Sequence, residues 1–70
     1  MKVDVAVDLA RRFAAQESYD PAAYDTRPVR NSAGWVIYFR PKTSKPRPGD
    51  FFAIYINSRS GAVERLVPGK

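Results

Sequence analysis

Residues 34–57 read GWVIYFRPKTSKPRPGDFFAIYIN, and this stretch decides the fold. Two runs of aromatic and β-branched residues, at positions 35–39 and 51–56, flank a connector rich in proline and positive charge. These residue types are enriched in strands, and turn-forming residues bound both runs. We therefore expect two neighbouring antiparallel strands joined by the connector.

Alternation along the two strands predicts a sheet that is covered on one side. One face of the pair is purely apolar, whereas the other ends in groups that tolerate water. The apolar face consists of Trp35, Ile37 and Phe39 on the first strand and Phe52, Ile54 and Ile56 on the second. The opposite face carries Val36, Tyr38 and Arg40 together with Phe51, Ala53, Tyr55 and Asn57.

Upstream of this pair, residues 3–16 have the periodicity of an amphipathic helix. The apolar positions of one face are Ala6, Leu9, Ala10 and Phe13, with Val3 and Ala14 beside them. We expect Leu9 and Phe13 to dock onto the apolar face of the sheet. Asp8 precedes Arg11 and Arg12 by three and four residues, which favours a helical ion pair.

Two weaker segments complete the predicted sheet. Residues 24–31 are consistent with a short edge strand, because Pro28 is tolerated at an edge, and residues 62–67 form a second weak strand. Turns at 31–34 and 57–61 would place Gly34 and Gly61 in left-handed conformations. The predicted fold is a single α+β domain over residues 1–70, with one N-terminal helix packed on a three- to four-stranded antiparallel meander sheet.

Length and composition limit how this domain is stabilised. A chain of 70 residues holds one core, which rarely supplies more than about 3–5 kcal/mol without further cross-links. The sequence contains no cysteine, which excludes disulfides. Homodimerisation is therefore one route to additional stability.

Positive charge is concentrated in one segment of the chain. The net charge is +5, yet residues 27–49 alone carry +6 with no acid. Such clustering favours an anionic partner at that segment. No window approaches the length of a membrane span, and Asp4 and Asp8 interrupt the apolar region that a signal peptide needs. We expect a cytoplasmic protein that does not enter the membrane.

The sequence offers little for catalysis, for a metal or for a cofactor. It contains no histidine, so the usual base near neutral pH is missing. Asp20 and Asp25 flank a proline in a loop, where acids are usually solvated, and the glycines match no phosphate-binding loop. We expect a protein that is not an enzyme and that has no catalytic residues, metal site or cofactor.

The best candidate for a binding element is the connector at residues 40–48. Three prolines stiffen it, which removes part of the entropy cost of ordering it on a partner. The candidate binding residues are Arg40, Lys42, Lys45 and Arg47 in the connector and Tyr38 and Tyr55 on the sheet face beside it. An acidic protein and a nucleic acid are both suitable partners, and the third interpretation is a solvated loop that binds nothing.

As a pattern, the chain resembles a group of small bacterial domains. The pattern runs from an Ala-x-x-Leu-Ala-x-x-Phe helix face through Tyr-Asp-Pro and Trp-Val-x-Tyr-Phe to a Pro-Gly-Asp turn, a Ser-Gly-x-Val turn and a closing Val-Pro-Gly-Lys. It is similar to immunity-protein domains with the cystatin-like fold of nuclear transport factor, and to PepSY-type helix-plus-hairpin domains. The resemblance implies non-enzymatic binding, either neutralising a toxin or inhibiting a peptidase. The basic, proline-rich connector departs from the family pattern.

Overall fold

The computed structural model describes residues 1–43 and 50–69. A helix, α1 (Val3–Gln16), is followed by a short 3₁₀ turn (Pro21–Ala23) and four strands. The strands are β1 (Tyr24–Arg30), β2 (Gly34–Pro41), β3 (Phe52–Asn57) and β4 (Ala62–Pro68). They form one antiparallel sheet in the order β1-β2-β3-β4, with α1 on one face. This confirms the predicted α+β meander, including the weak edge strand around Pro28.

The register of the two central strands confirms the predicted apolar face. Phe39 pairs with Phe52 and Ile37 pairs with Ile54, and all four side chains are buried. The rings of Phe39 and Phe52 stack with centroids 4.5 Å apart. Cross-strand pairs of this kind stabilise a sheet through close side-chain contact. They form the centre of the core beneath the helix.

The helix approaches this face through alanines, which differs from the expected docking through Leu9 and Phe13. Ala6, Ala10 and Ala14 are fully buried, whereas Leu9 and Phe13 pack against the core and are only half-buried. The small alanine side chains let the helix backbone come close to the large residues of the sheet. Leu9 and Phe13 therefore flank the contact, and the alanines form its centre.

The two arginines of α1 that follow Asp8 make different contacts. Arg12 Nε lies 3.0 Å from Asp8 Oδ2, which confirms the helical ion pair. Arg11 instead donates to the carbonyl oxygen of Pro21 at 3.1 Å. Arg11 thus ties the helix to the 3₁₀ turn that leads into β1.

The two turn glycines are required for different reasons. Gly61 has φ +69°, which confirms the predicted left-handed conformation. Gly34 also has a positive φ, +157°, within the range that side-chain-bearing residues rarely adopt, but its backbone is much more extended than that of Gly61. A Cβ at Gly34 would collide with the carbonyl oxygen of Ile56 and lie 2.6 Å from the nitrogen of Ser58. Gly34 is thus needed because β2 passes very close to the backbone at the end of β3.

Candidate functional site

The face of the sheet that points away from α1 is the candidate functional site, and we call it the outward face. Within residues 1–43 and 50–69, no helix or strand packs on it. Because side chains alternate along strands, the pairings place residues from all four strands on it. They are Asp25, Arg27 and Val29 from β1, Val36, Tyr38 and Arg40 from β2, Ala53 and Tyr55 from β3, and Arg65 and Val67 from β4.

The outward face exposes apolar surface. Tyr38, Val29 and Val67 are 46%, 40% and 38% exposed, respectively. The sheet register aligns Tyr38 with Ala53 and Val67 across three strands. Single exposed hydrophobic residues are normal on protein surfaces, whereas contact surfaces group such residues on one face.

Arginines surround this apolar surface. Arg27 and Arg40 come from β1 and β2, and Arg65 comes from β4 on the other side. In the described part of the chain, neither Arg27 nor Arg40 has an ion-pair partner within 4.0 Å, although Asp25 lies opposite Arg40 in the register. The guanidinium carbon of Arg65 lies 4.5 Å from the ring centroid of Tyr55, a cation–π contact. The face therefore offers guanidinium donors to an anionic partner.

The structure brings together half of the residues that the sequence predicted for binding. Tyr38, Arg40 and Tyr55 share the outward face. Lys42 is exposed just after β2, where its backbone N–H donates to the carbonyl oxygen of Ala23 at 2.9 Å. Lys45 and Arg47, with most of the predicted basic connector, lie outside the described residues.

Sequence reasoning missed two arginines and the apolar partners of Tyr38. Arg27 lies in the segment whose alternation predicted an edge strand, and that alternation was a usable signal for its direction. Arg65 and Val67 lie in β4, and only the strand order places them beside Tyr55 and Ala53.

The two acids weighed for catalysis do not form a pair. Asp20 Oδ1 accepts a hydrogen bond from the Ala22 N–H at 3.1 Å and so caps the 3₁₀ turn, whereas Asp25 lies in β1 opposite Arg40. Among the residues the structure describes, no three acids, histidines or cysteines come together as a metal site. Over the same residues, no helix is long and apolar enough to cross a membrane.

Comparisons with known proteins found no match to this chain among protein-family models, curated proteins or solved structures. The resemblance to immunity-protein and PepSY-type domains therefore stays a prediction. The assignment of a function depends on the chemistry of the outward face.

Proposed function

We propose that this protein is a non-enzymatic binding module that holds an acidic protein partner on its outward face. The observation that carries the proposal is the combination of exposed apolar side chains with arginines on one uncovered sheet face. Interfaces commonly have an apolar centre with aromatic residues and arginine, surrounded by a polar rim. Tyr38 and Val67 supply apolar contact area, and Arg27 and Arg40 supply donors for carboxylates.

The arginines favour a partner that carries negative charge. Complementary charge raises the association rate and disfavours like-charged partners. Arginine is suited to this role because its planar fork binds a carboxylate through two hydrogen bonds. An acidic partner is therefore expected to reach the face quickly and to be held by the apolar contact.

Retention of the partner from an extract of the native host tests the proposal. The immobilised chain is compared with a variant carrying Arg27→Glu and Arg40→Glu, after nuclease treatment of the extract. The matched control carries Lys2→Glu and Arg59→Glu, which change the net charge equally at exposed positions just before the helix and in the turn between β3 and β4. We expect wild type and control to retain one acidic protein that the outward-face variant loses. Equal retention by both double variants would assign the contact to another surface.

Single-stranded nucleic acid is the second candidate, because Tyr38 and Tyr55 lie on the two central strands. Aromatic residues on a sheet stack with bases, and arginines contact phosphates. Fluorescence anisotropy with a labelled oligonucleotide separates the two candidates. Phosphate-dominated binding weakens with log salt at a slope of about 0.7 per neutralised phosphate. Tight binding with such a slope, lost on Tyr38→Ala, would favour nucleic acid over an acidic protein.

An immunity or inhibitor role would make the partner a toxin or a peptidase. The expectation that the partner is a toxin or a peptidase comes from the sequence resemblance alone. Identification of the retained protein by mass spectrometry tests it directly, since the partner should then be a toxin or a peptidase that loses activity when bound. A retained acidic protein of another class would leave the binding module in place and remove the immunity role.

A further inference from the structure

The outward face contains a depression centred on one small residue, Ala53. Its neighbours across the sheet are Tyr38 on β2 and Val67 on β4, both much larger. Tyr55 lies two residues further along β3 on the same face, and Phe51 precedes the strand. Ala53 is only 7% exposed although it points away from the helix, because these larger side chains surround it. A small residue among large ones creates a concave site in an otherwise raised surface.

The depression is large enough to hold a side chain, and its lining is mostly apolar. Its volume is about 580 Å³, and its walls include Tyr38, Phe51, Tyr55 and Val67. Arg27 and Arg40 also line it, on the side of β1 and β2. Arg65 lies just beyond Tyr55 and completes the positive surroundings. A ligand complementary to this lining presents an apolar group beside negative charges.

Three kinds of ligand are compared for the depression: a second copy of this chain, a nucleic-acid base and an acidic protein segment. Their charges distinguish them. A second copy docked face to face would bring a second set of three arginines to the same interface, and Asp25 is the only acid that the pairings of the described strands place on this face to offset them. Such like-charge contacts are unfavourable at an interface. A base stacked on Tyr55 would have to displace the Arg65 guanidinium from the ring, which leaves Tyr38 as the tyrosine open to stacking. An acidic protein segment meets the arginines without either cost.

We propose that the depression over Ala53 is an anchor pocket for one large apolar side chain carried on an acidic segment of the partner protein. Carboxylates beside the anchor pair with Arg27 and Arg40 on the side of β1 and β2. Binding energy at interfaces concentrates in a few such buried anchors. This inference rests on the proposed function and adds to it the sequence chemistry of the partner: a Phe, Leu or similar residue flanked by Asp or Glu.

Two synthetic peptides of equal charge test the anchor directly. One has the sequence Glu-Asp-Glu-Phe-Glu-Asp-Glu with blocked ends, and the other has Ala in place of Phe. Each is titrated into the full chain labelled with nitrogen-15, and amide shifts are followed by NMR. We expect the Phe peptide to shift the signals of Tyr38, Ala53 and Val67, and to bind about tenfold or more tightly than the Ala peptide because it buries a side chain.

Variants of the pocket separate the anchor from general charge attraction. Ala53→Leu raises the floor of the depression at its centre, so the preference for Phe over Ala should fall while both peptides keep a weak, salt-sensitive attraction. Tyr38→Thr removes one wall at an exposed strand position, retains a strand-forming residue, and should reduce the preference in a chain whose fold is verified by its spectrum. The control Ala15→Leu adds the same atoms on the exposed side of α1 and should change nothing.

Three results would overturn the anchor, and they differ in what they say of the proposed function. Equal binding of both peptides, lost when Arg27 and Arg40 become Glu, would remove the anchor and leave an acid-binding face. Shifts at residues of α1 instead of the outward face would remove both. Absence of shifts with either peptide at millimolar concentration, with an oligonucleotide shifting the same face, would also remove both and favour nucleic acid.

Discussion

Replacing Gly34 by alanine tests the close approach between β2 and the end of β3. The added Cβ would meet backbone atoms, the carbonyl oxygen of Ile56 and the nitrogen of Ser58. Backbone atoms cannot move aside as a flexible side chain can, so the two segments would have to separate. Gly61→Ala is the matched control, because the nearest atom to its added Cβ, Met1 Cε, is 3.9 Å away and only the left-handed conformation is strained.

The expected loss of unfolding free energy follows from two hydrogen bonds near Gly34. Gly34 N–H donates to Asn31 Oδ1 at 2.7 Å, and Ser58 N–H donates to the carbonyl oxygen of Ala33 at 3.0 Å. Losing two such bonds costs about 1 kcal/mol each, and an alanine held at φ +157° adds about 1 kcal/mol. We expect Gly34→Ala to lose about 3 kcal/mol, against about 1 kcal/mol for Gly61→Ala.

Urea denaturation followed by far-ultraviolet circular dichroism measures the difference. With a slope of about 1 kcal/mol per molar for a small domain, the midpoint should fall by about 3 M for Gly34→Ala and by about 1 M for the control. The total stability of a domain this size is about 5 kcal/mol, so Gly34→Ala should be only marginally folded. Equal midpoints for the two variants would refute the close approach as the reason for glycine at position 34.

Three further changes test other parts of the structure. Ala10→Leu should lower the unfolding free energy by about 1–3 kcal/mol through overpacking, whereas Ala15→Leu on the exposed side should leave the urea midpoint nearly unchanged. Gly61→Val should lower the melting temperature more than Gly61→Asn, because asparagine tolerates the left-handed region; equal melting temperatures would contradict this turn. Burial, and to a smaller extent the neighbouring Tyr19, Asp50 and Asp20, raise the pKa of Tyr24 above its ordinary 10.0. The stabilisation that accompanies this raised pKa is fully present below pH 10.0 and is lost as the pH rises through the pKa of Tyr24 in the folded protein. Tyr24→Phe should therefore reduce the loss of unfolding free energy at alkaline pH, measured by urea denaturation.

The sheet was predictable because its central strands combine β-propensity with strict alternation. Ile37 and Ile54 are typical of a strand face covered on one side, and the structure buries both completely. The edge strand β1 was ambiguous because Pro28 weakens the local pattern. Pairing of Pro28 with Ile37 resolves that ambiguity, and pairing is a property of the assembled sheet that one segment does not contain.

The helix contact could not be predicted from hydrophobic periodicity alone. Periodicity gives most weight to large residues such as Leu9 and Phe13, whereas the closest contact requires small ones. The same limit applies to the candidate site, where Ala53 attracts no attention in the sequence. Its role depends on Tyr38 and Val67 lying on either side of it, which follows from the strand order and register.

The measurement that tests the central claim most directly is the association rate of the partner retained by wild-type protein, at two ionic strengths. Reversal of Arg27 and Arg40 to Glu should slow association strongly at low salt, with a smaller difference at high salt, because exposed charges are screened beyond about 8–10 Å at physiological ionic strength. The melting temperature should fall only modestly, since exposed charges contribute little to folding and the one new like-charge contact sets Arg40→Glu opposite Asp25. Reversal of Lys2 and Arg59 should slow association much less. Equal slowing by the two double variants, or unchanged rates for the outward-face variant, would contradict an acidic partner bound on the outward face.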